Sequence, residues 1–152
     1  MATRSDIIVK RTDGQWARIY CHWDGYPEGV GKTLFEHYKT QEKCEALIAL
    51  GDLSSLGEEI GEKHDFNWQG KYRNNRDHPE AQRLAVVCLF YGRDRGESDT
   101  EAKIFDNIHA AWPDADTGTE FTYVFADGKW WIGDPDESSE TVLELGDVLS
   151  GK

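Results

Sequence analysis

Two Asp-Gly pairs constrain this chain more than any other feature. Asp13-Gly14 lies between DIIVKR (6–11) and WARIYCH (16–22), and Asp127-Gly128 lies inside EFTYVFADGKWWIGD (120–134). Both pairs sit between segments in which side chains alternate in character, and Asp-Gly supplies the positive φ angles that tight hairpin turns require. Two β-hairpins are therefore predicted. Alternation puts Ile8 and Lys10 on one face of the first strand, with Ile7, Val9 and Arg11 on the other. In the second hairpin Phe121, Tyr123 and Phe125 share a face.

Between the hairpins, residues 84–91 (LAVVCLFY) form a continuous apolar run bounded by polar sequence, the pattern of a buried central strand. Residues 33–39 read as helical. Thr40 is placed to cap a second helix over 41–50, with Cys44, Leu47, Ile48 and Leu50 on its apolar side and Gly51 as its stop. Residues 52–61 read as a short helical turn or ordered loop, and 92–99 as a tight charged loop. Residues 101–112 read as a short strand then a helix ended by Pro113, and 141–149 as a short strand or helix capping the sheet. The fold class that follows is α+β. Its antiparallel sheet has about four to six strands, built from two hairpins plus a central strand, with helices packed on one face. The 152 residues make one domain, with an exposed insertion at 62–83, a polar and weakly periodic stretch.

Six each of Trp, Tyr and Phe can fill a core, which argues against disorder. No apolar run approaches the roughly 18–20 residues of a membrane span, and MATRSDIIVKRTDG lacks the apolar stretch of a secretory signal. Cys21, Cys44 and Cys88 form no CxxC pair, which argues against a zinc ribbon and for reduced, buried thiols in a cytoplasmic protein. Net charge is −12 and uneven: residues 1–96 carry 14 basic and 15 acidic side chains, residues 97–152 carry 3 and 14. An acidic last third repels free nucleic acid and attracts a basic protein surface, which it can engage as a mimic of a phosphate backbone. It also serves simply as a solvated, solubilising face. Candidate partner-binding residues are Asp114, Asp116, Glu120, Trp130, Trp131, Asp134, Asp136 and Glu137.

The stretch GVGKT (29–33) invites a phosphate-loop reading, but the motif needs Gly at 26, and residue 26 is Tyr. A looser possibility survives, a Gly-rich turn holding an anion. Cys21 and His22 are adjacent on a strand, so they face opposite sides and do not make a nucleophile–base pair with each other. In YGRDRGE (91–97), Arg93 and Arg95 flank Asp94. Such a fork grips phosphate or carboxylate, or ties down its own loop. If the loops after the two strands open onto one end of the sheet, they form an anion site. His22, Asp24, Tyr26, Gly29 and Gly31 would face Tyr91, Arg93, Asp94 and Arg95 across it. No catalytic set, cofactor or metal site is expected.

The segments MATRS (1–5), IYCHWDGYPEGVGKTLFEHY (19–38), LGDLSSLG (50–57), YGRDRGE (91–97) and TYVFADGKWWIGD (122–134) together resemble a family of small proteins encoded by bacteriophages, prophages and some bacteria. The resemblance implies a phage accessory protein in the cytoplasm of an infected bacterium, of the counter-defence or host-takeover kind. On that footing the expected function is a non-enzymatic inhibitor that binds a host protein with a basic surface, and the alternative is sequestration or hydrolysis of a small phosphorylated nucleotide. Neither a membrane nor direct nucleic-acid binding is expected.

Overall fold

The computed structural model describes residues 2–114, 118–135 and 137–151. In chain order the strands are β1 (Ser5–Lys10), β2 (Trp16–Cys21), β3 (Leu53–Ser55), β4 (Leu89–Phe90), β5 (Lys103–Phe105), β6 (Phe121–Ala126), β7 (Lys129–Gly133) and β8 (Leu143–Glu144). The helices are α1 (Lys32–His37), α2 (Gln41–Ile48), α3 (Trp68–Lys71), α4 (Pro79–Leu84), α5 (Tyr91–Arg95), α6 (Ile108–Ala111) and α7 (Leu145–Leu149). A π-helical turn, Pro27–Gly31, precedes α1.

Both hairpins form where the Asp-Gly pairs place them. β1 pairs antiparallel with β2, with Ile8 opposite Arg18, and β6 pairs antiparallel with β7, with Val124 opposite Trp131. Asp127 and Gly128 stand at φ +55° and +77°, the two positive angles of a type I′ turn. The capped helix also forms: the Thr40 hydroxyl accepts the Lys43 N–H at 3.2 Å.

The class is α+β, but the sheet differs from the expected one. Among the described residues it has eight strands in the order β4-β3-β2-β1-β6-β7-β8, with β5 also on β2. It is mixed: β1 pairs parallel with β6, and β2 parallel with β3. Hairpin signals are local and do not say how two hairpins join. Here β6 arrives alongside β1 in the same direction, Ser5 beside Phe121 and Val9 beside Phe125. The apolar run 84–91 is not a central strand either. Leu84 closes α4, Val87 makes a single bridge to Glu59, and only Leu89-Phe90 joins the sheet, at its edge. That run owes its burial to packing against loop backbone. Built on Gly57, a Cβ would lie 2.4 Å from the Val86 carbonyl oxygen, and the Tyr38 hydroxyl lies 3.2 Å from Cys88 Sγ.

Helices lie on both faces, not one. The first face carries Ile7, Val9, Ile19, Cys21, Tyr123 and Phe125, covered by Leu34 of α1, Cys44, Leu47 and Ile48 of α2, and Leu145 of α7. Each such fully buried aliphatic chain contributes roughly 1.5–3 kcal/mol. The second face carries Ile8, Val124 and Ala126, covered at one end by Ala111 and Ile108 of α6 with Trp112 and Phe105. Residues 62–83 fold as α3, α4 and connecting turns with mostly exposed or half-exposed side chains. No helix among the described residues is long and apolar enough to cross a membrane.

Candidate functional site

The two loops expected to share an anion site part company. β3 lies between β2 and β4, parallel to the first and antiparallel to the second. β4 therefore runs opposite to β2, and the chain leaves the two strands in opposite directions. Trp23 N–H donates to the Ser54 carbonyl, whereas Tyr91 N–H donates to the Asp52 carbonyl at the other end of β3.

YGRDRGE is helix α5, and its arginines are engaged. Arg93 Nε donates to Asp94 Oδ1 at 2.9 Å, and Nη2 donates to Asp94 Oδ2 and the Cys88 carbonyl. Its Nη1 donates to the carbonyls of Ile60 and Gly61. A guanidinium has five N–H groups, so none remains for a ligand. The Asp94 carboxylate, fully buried, also accepts the backbone N–H groups of His64 and Phe90 at 3.1 and 2.8 Å. Arg95 pairs with Glu97 and lies over the rings of Phe66 and Tyr91. Asp94 and Arg93 thus form a structural knot that ties residues 60–64 to 88–94.

The 22–31 loop is not an anion cradle but a tightly braced platform. Gly29 N–H donates to the Tyr26 carbonyl, and Val30 N–H to the Asp24 carbonyl. Gly31 is buried, and a Cβ there would lie 3.1 Å from the Tyr123 ring. Gly25 is fixed by close approach: a Cβ there would lie 2.8 Å from the Thr3 oxygen and 2.9 Å from Ser5 Cβ. Gly25 N–H donates to Thr3 and its carbonyl accepts the Tyr123 hydroxyl at 2.6 Å. On this base Trp23 and Tyr26 stand 44% and 41% exposed, with Asp24 and Glu28 beside them. The Tyr26 hydroxyl donates to Asp24 at 3.3 Å. His22 accepts or donates at Nδ1 with the Tyr20 hydroxyl at 2.6 Å and meets Trp23 edge-on. Burial pushes the Cys21 thiol up to about 12, so it stays neutral beneath the loop.

Of the expected partner-binding residues, Asp114, Glu120, Asp134 and Glu137 are exposed, and Trp131 is half-buried. Trp130 is a correction: it packs in the core with Phe125, and its Nε1 donates to the Tyr38 carbonyl at 2.8 Å. Adjacent strand residues face opposite sides, so both tryptophans could not be surface anchors. Asp116 and Asp136 lie outside the described residues. The acids gather at one end of the sheet. Glu120 precedes β6 and Asp134 follows β7, and Trp112 donates to the Glu137 carbonyl at 2.7 Å, drawing 112–114 toward 137. The same end holds the 22–31 loop. Thr3 and Arg4 lie between the two groups, accepting Gly25 N–H on one side and Glu120 N–H on the other.

Sequence reasoning missed a charged cleft on the second face. On the outer edge of β2, β5 pairs with residues 16–18 and β3 with Cys21 alone, so the edge forks at Ile19 and Tyr20. The Asp52 carboxylate fills the gap by accepting Tyr20 N–H at 2.9 Å. Beside this fork lies a cleft of about 280 Å³ lined by Asp6, Arg18, Ile19, Tyr20, Asp52, Lys103 and Thr119. Asp6 is 5% exposed and accepts the Thr119 hydroxyl at 2.7 Å. Burial raises the carboxyl pKa of both Asp6 and Asp52 above the ordinary carboxylate range, against the Thr119 hydrogen bond and the pull of Arg18 and Lys103 on Asp6. A charged residue at an inward position of β1 was the one available signal. Among the described residues no group of three or more His, Cys, Asp or Glu side chains could hold a metal ion.

The chain matches no protein-family model, no curated protein and no solved structure. The likeness to phage-encoded proteins rests on the motifs alone.

Proposed function

We propose that this protein acts by binding another protein, through the rim formed by the 22–31 loop and the acidic end of the β6–β7 hairpin. The carrying observation is the pairing of two exposed aromatics, Trp23 and Tyr26, on a braced loop with exposed acids along the same sheet end. Aromatic anchors give interfaces most of their energy, and a ring of charge sets partner choice and association rate. The net charge of −12 favours a partner with a basic surface. A host-directed, counter-defence role accords with the phage-like motifs. The alternative of phosphorylated-nucleotide binding by the two loops loses its support, because Arg93 has no donor left and the loops diverge.

The test is capture from bacterial lysate, identification of the partner, and surface-binding kinetics with the purified pair. Association should slow as salt rises, since the Debye length is roughly 8 Å at physiological ionic strength. A Glu120→Lys, Asp134→Lys, Glu137→Lys triple variant should slow it likewise. Trp23→Ala should mainly speed dissociation and cost about 2 kcal/mol or more of binding. A partner whose binding ignores salt, the triple variant and Trp23→Ala removes this reading.

A further inference from the structure

The cleft at the fork of β2 opens on the second face beside the proposed rim, Thr119 of the one preceding Glu120 of the other, and its chemistry points elsewhere. Two carboxylates, Asp6 and Asp52, and two cations, Arg18 and Lys103, line one small cavity. Among the described residues, no ion pair joins either acid to either base. Arg18 is held from behind: its Nη1 donates to the Ala111 carbonyl at 2.7 Å, and its guanidinium lies 4.9 Å over the Phe105 ring. Asp52 is held by Tyr20 N–H, and Asp6 by Thr119. Three of the four charges are thus fixed around a gap, with Lys103 at its exposed edge, instead of closing on each other. Behind Asp6, its register neighbour Thr122 is fully buried, with a hydroxyl that has no hydrogen-bond partner.

A buried carboxylate with one hydroxyl partner is under-satisfied and gains from an N–H donor or cation brought to it. A ligand that was only cationic would meet Arg18 and Lys103, and one that was only anionic would meet Asp6 and Asp52. The four charges cancel, so the complementary ligand carries both signs. A volume of about 280 Å³ lies at the small end of ligand sites and suits a small molecule.

We infer that this cleft binds a small zwitterion, its ammonium or guanidinium group on Asp6 and Asp52 and its carboxylate toward Lys103 and Arg18. Pre-fixed partners reduce the ordering cost of such binding.

The experiment is calorimetry on the full chain with L-arginine, L-lysine, and agmatine, which keeps the guanidinium but lacks the carboxylate. Two-dimensional amide NMR reports the place of binding. At least one of the two amino acids should bind and move the amide signals of Asp6, Tyr20 and Asp52. Asp52→Asn should weaken that binding about ten- to a hundredfold, the effect of losing one charge-assisted contact. Lys103→Ala, at an exposed position that should not affect folding, should weaken amino-acid binding but not agmatine binding. Failure of both amino acids to shift any of these signals at millimolar concentration overturns the inference. So does agmatine binding as tightly as L-arginine, or amino-acid binding unchanged in both variants. The protein-partner measurements are independent of these outcomes.

Discussion

Around Arg93 every guanidinium N–H has an acceptor, and the Asp94 carboxylate accepts four hydrogen bonds. Around Asp6 an equally buried carboxylate accepts one and faces a cleft. Both carboxylates belong to the same domain and both stand among cations. The first is closed on itself, as a stability device must be; the second is left open, as a site must be. The contrast shows why an Arg-Asp-Arg motif and a lone strand aspartate are poor guides when read from sequence. What matters is how many donors the fold brings to each carboxylate, and those donors come from distant segments.

Breaking the closed side should give the largest effect. Arg93→Ala leaves the Asp94 charge buried with two backbone donors and the His64 ring, 3.7 Å away, and frees the carbonyls of Ile60, Gly61 and Cys88. A loss of about 3–5 kcal/mol is expected, read as a lower urea midpoint. Arg93→Lys should recover little of it, because one ammonium cannot reach the same fork of acceptors.

Breaking the open side should act in the opposite direction. Burial holds the Asp6 carboxyl above its ordinary 3.8, so the folded chain keeps that proton more tightly than the unfolded one. Its contribution to stability is greatest below 3.8, declines as pH rises from there through the folded-state value, and stays reduced above it. Asp6→Asn removes this titration and can still accept the Thr119 hydroxyl. It should melt higher than the parent at pH 7, and the difference should close as pH falls below 3.8. A lower melting temperature at neutral pH would mean that Asp6 is structural after all. Asp52→Asn should shift melting in the same direction by less, because Asp52 is less buried and its Oδ1 keeps the Tyr20 N–H. The smallest effect belongs to Arg95→Ala. Its pair with Glu97 is on the surface, so about 1 kcal/mol or less is expected from the same urea titration.

Local features were legible in the sequence. The hairpins were, because Asp-Gly turn chemistry acts over a few residues, and so was the helix capped by Thr40. The strand Leu53–Ser55 was not, since three residues between a helix stop and a loop leave no alternation to see. Residues 92–99 read as a tight charged loop because Gly92 and Gly96 bracket Arg93, Asp94 and Arg95. Gly96 instead stands at φ +74° as the left-handed stop of a short helix. The run 84–91 carried an apolar signal that periodicity cannot divide between strand and irregular buried chain. The exposed acids of the rim could be named from charge alone, but its aromatic anchors could not: Trp130 is buried while Trp23 is exposed. The cleft was invisible because Asp6, Arg18, Asp52, Lys103 and Thr119 come from five segments joined only by the fork in the sheet.

The parallel pairing of β1 with β6 also matters while the chain is being made. β1 is complete at Lys10, but its second edge waits for Phe121–Ala126, about 110 residues later. At ~5–20 residues per second, a ribosome takes on the order of 5–20 s to supply that partner. For that interval the nascent chain carries an open strand edge, Ser5–Lys10, with Ile7, Ile8 and Val9 at its middle, and open edges of this kind recruit other chains. The first hairpin can close early, whereas the central seam of the sheet can close only after β6 has left the exit tunnel. Chains released before residue 121 should therefore be the aggregation-prone products of this sequence.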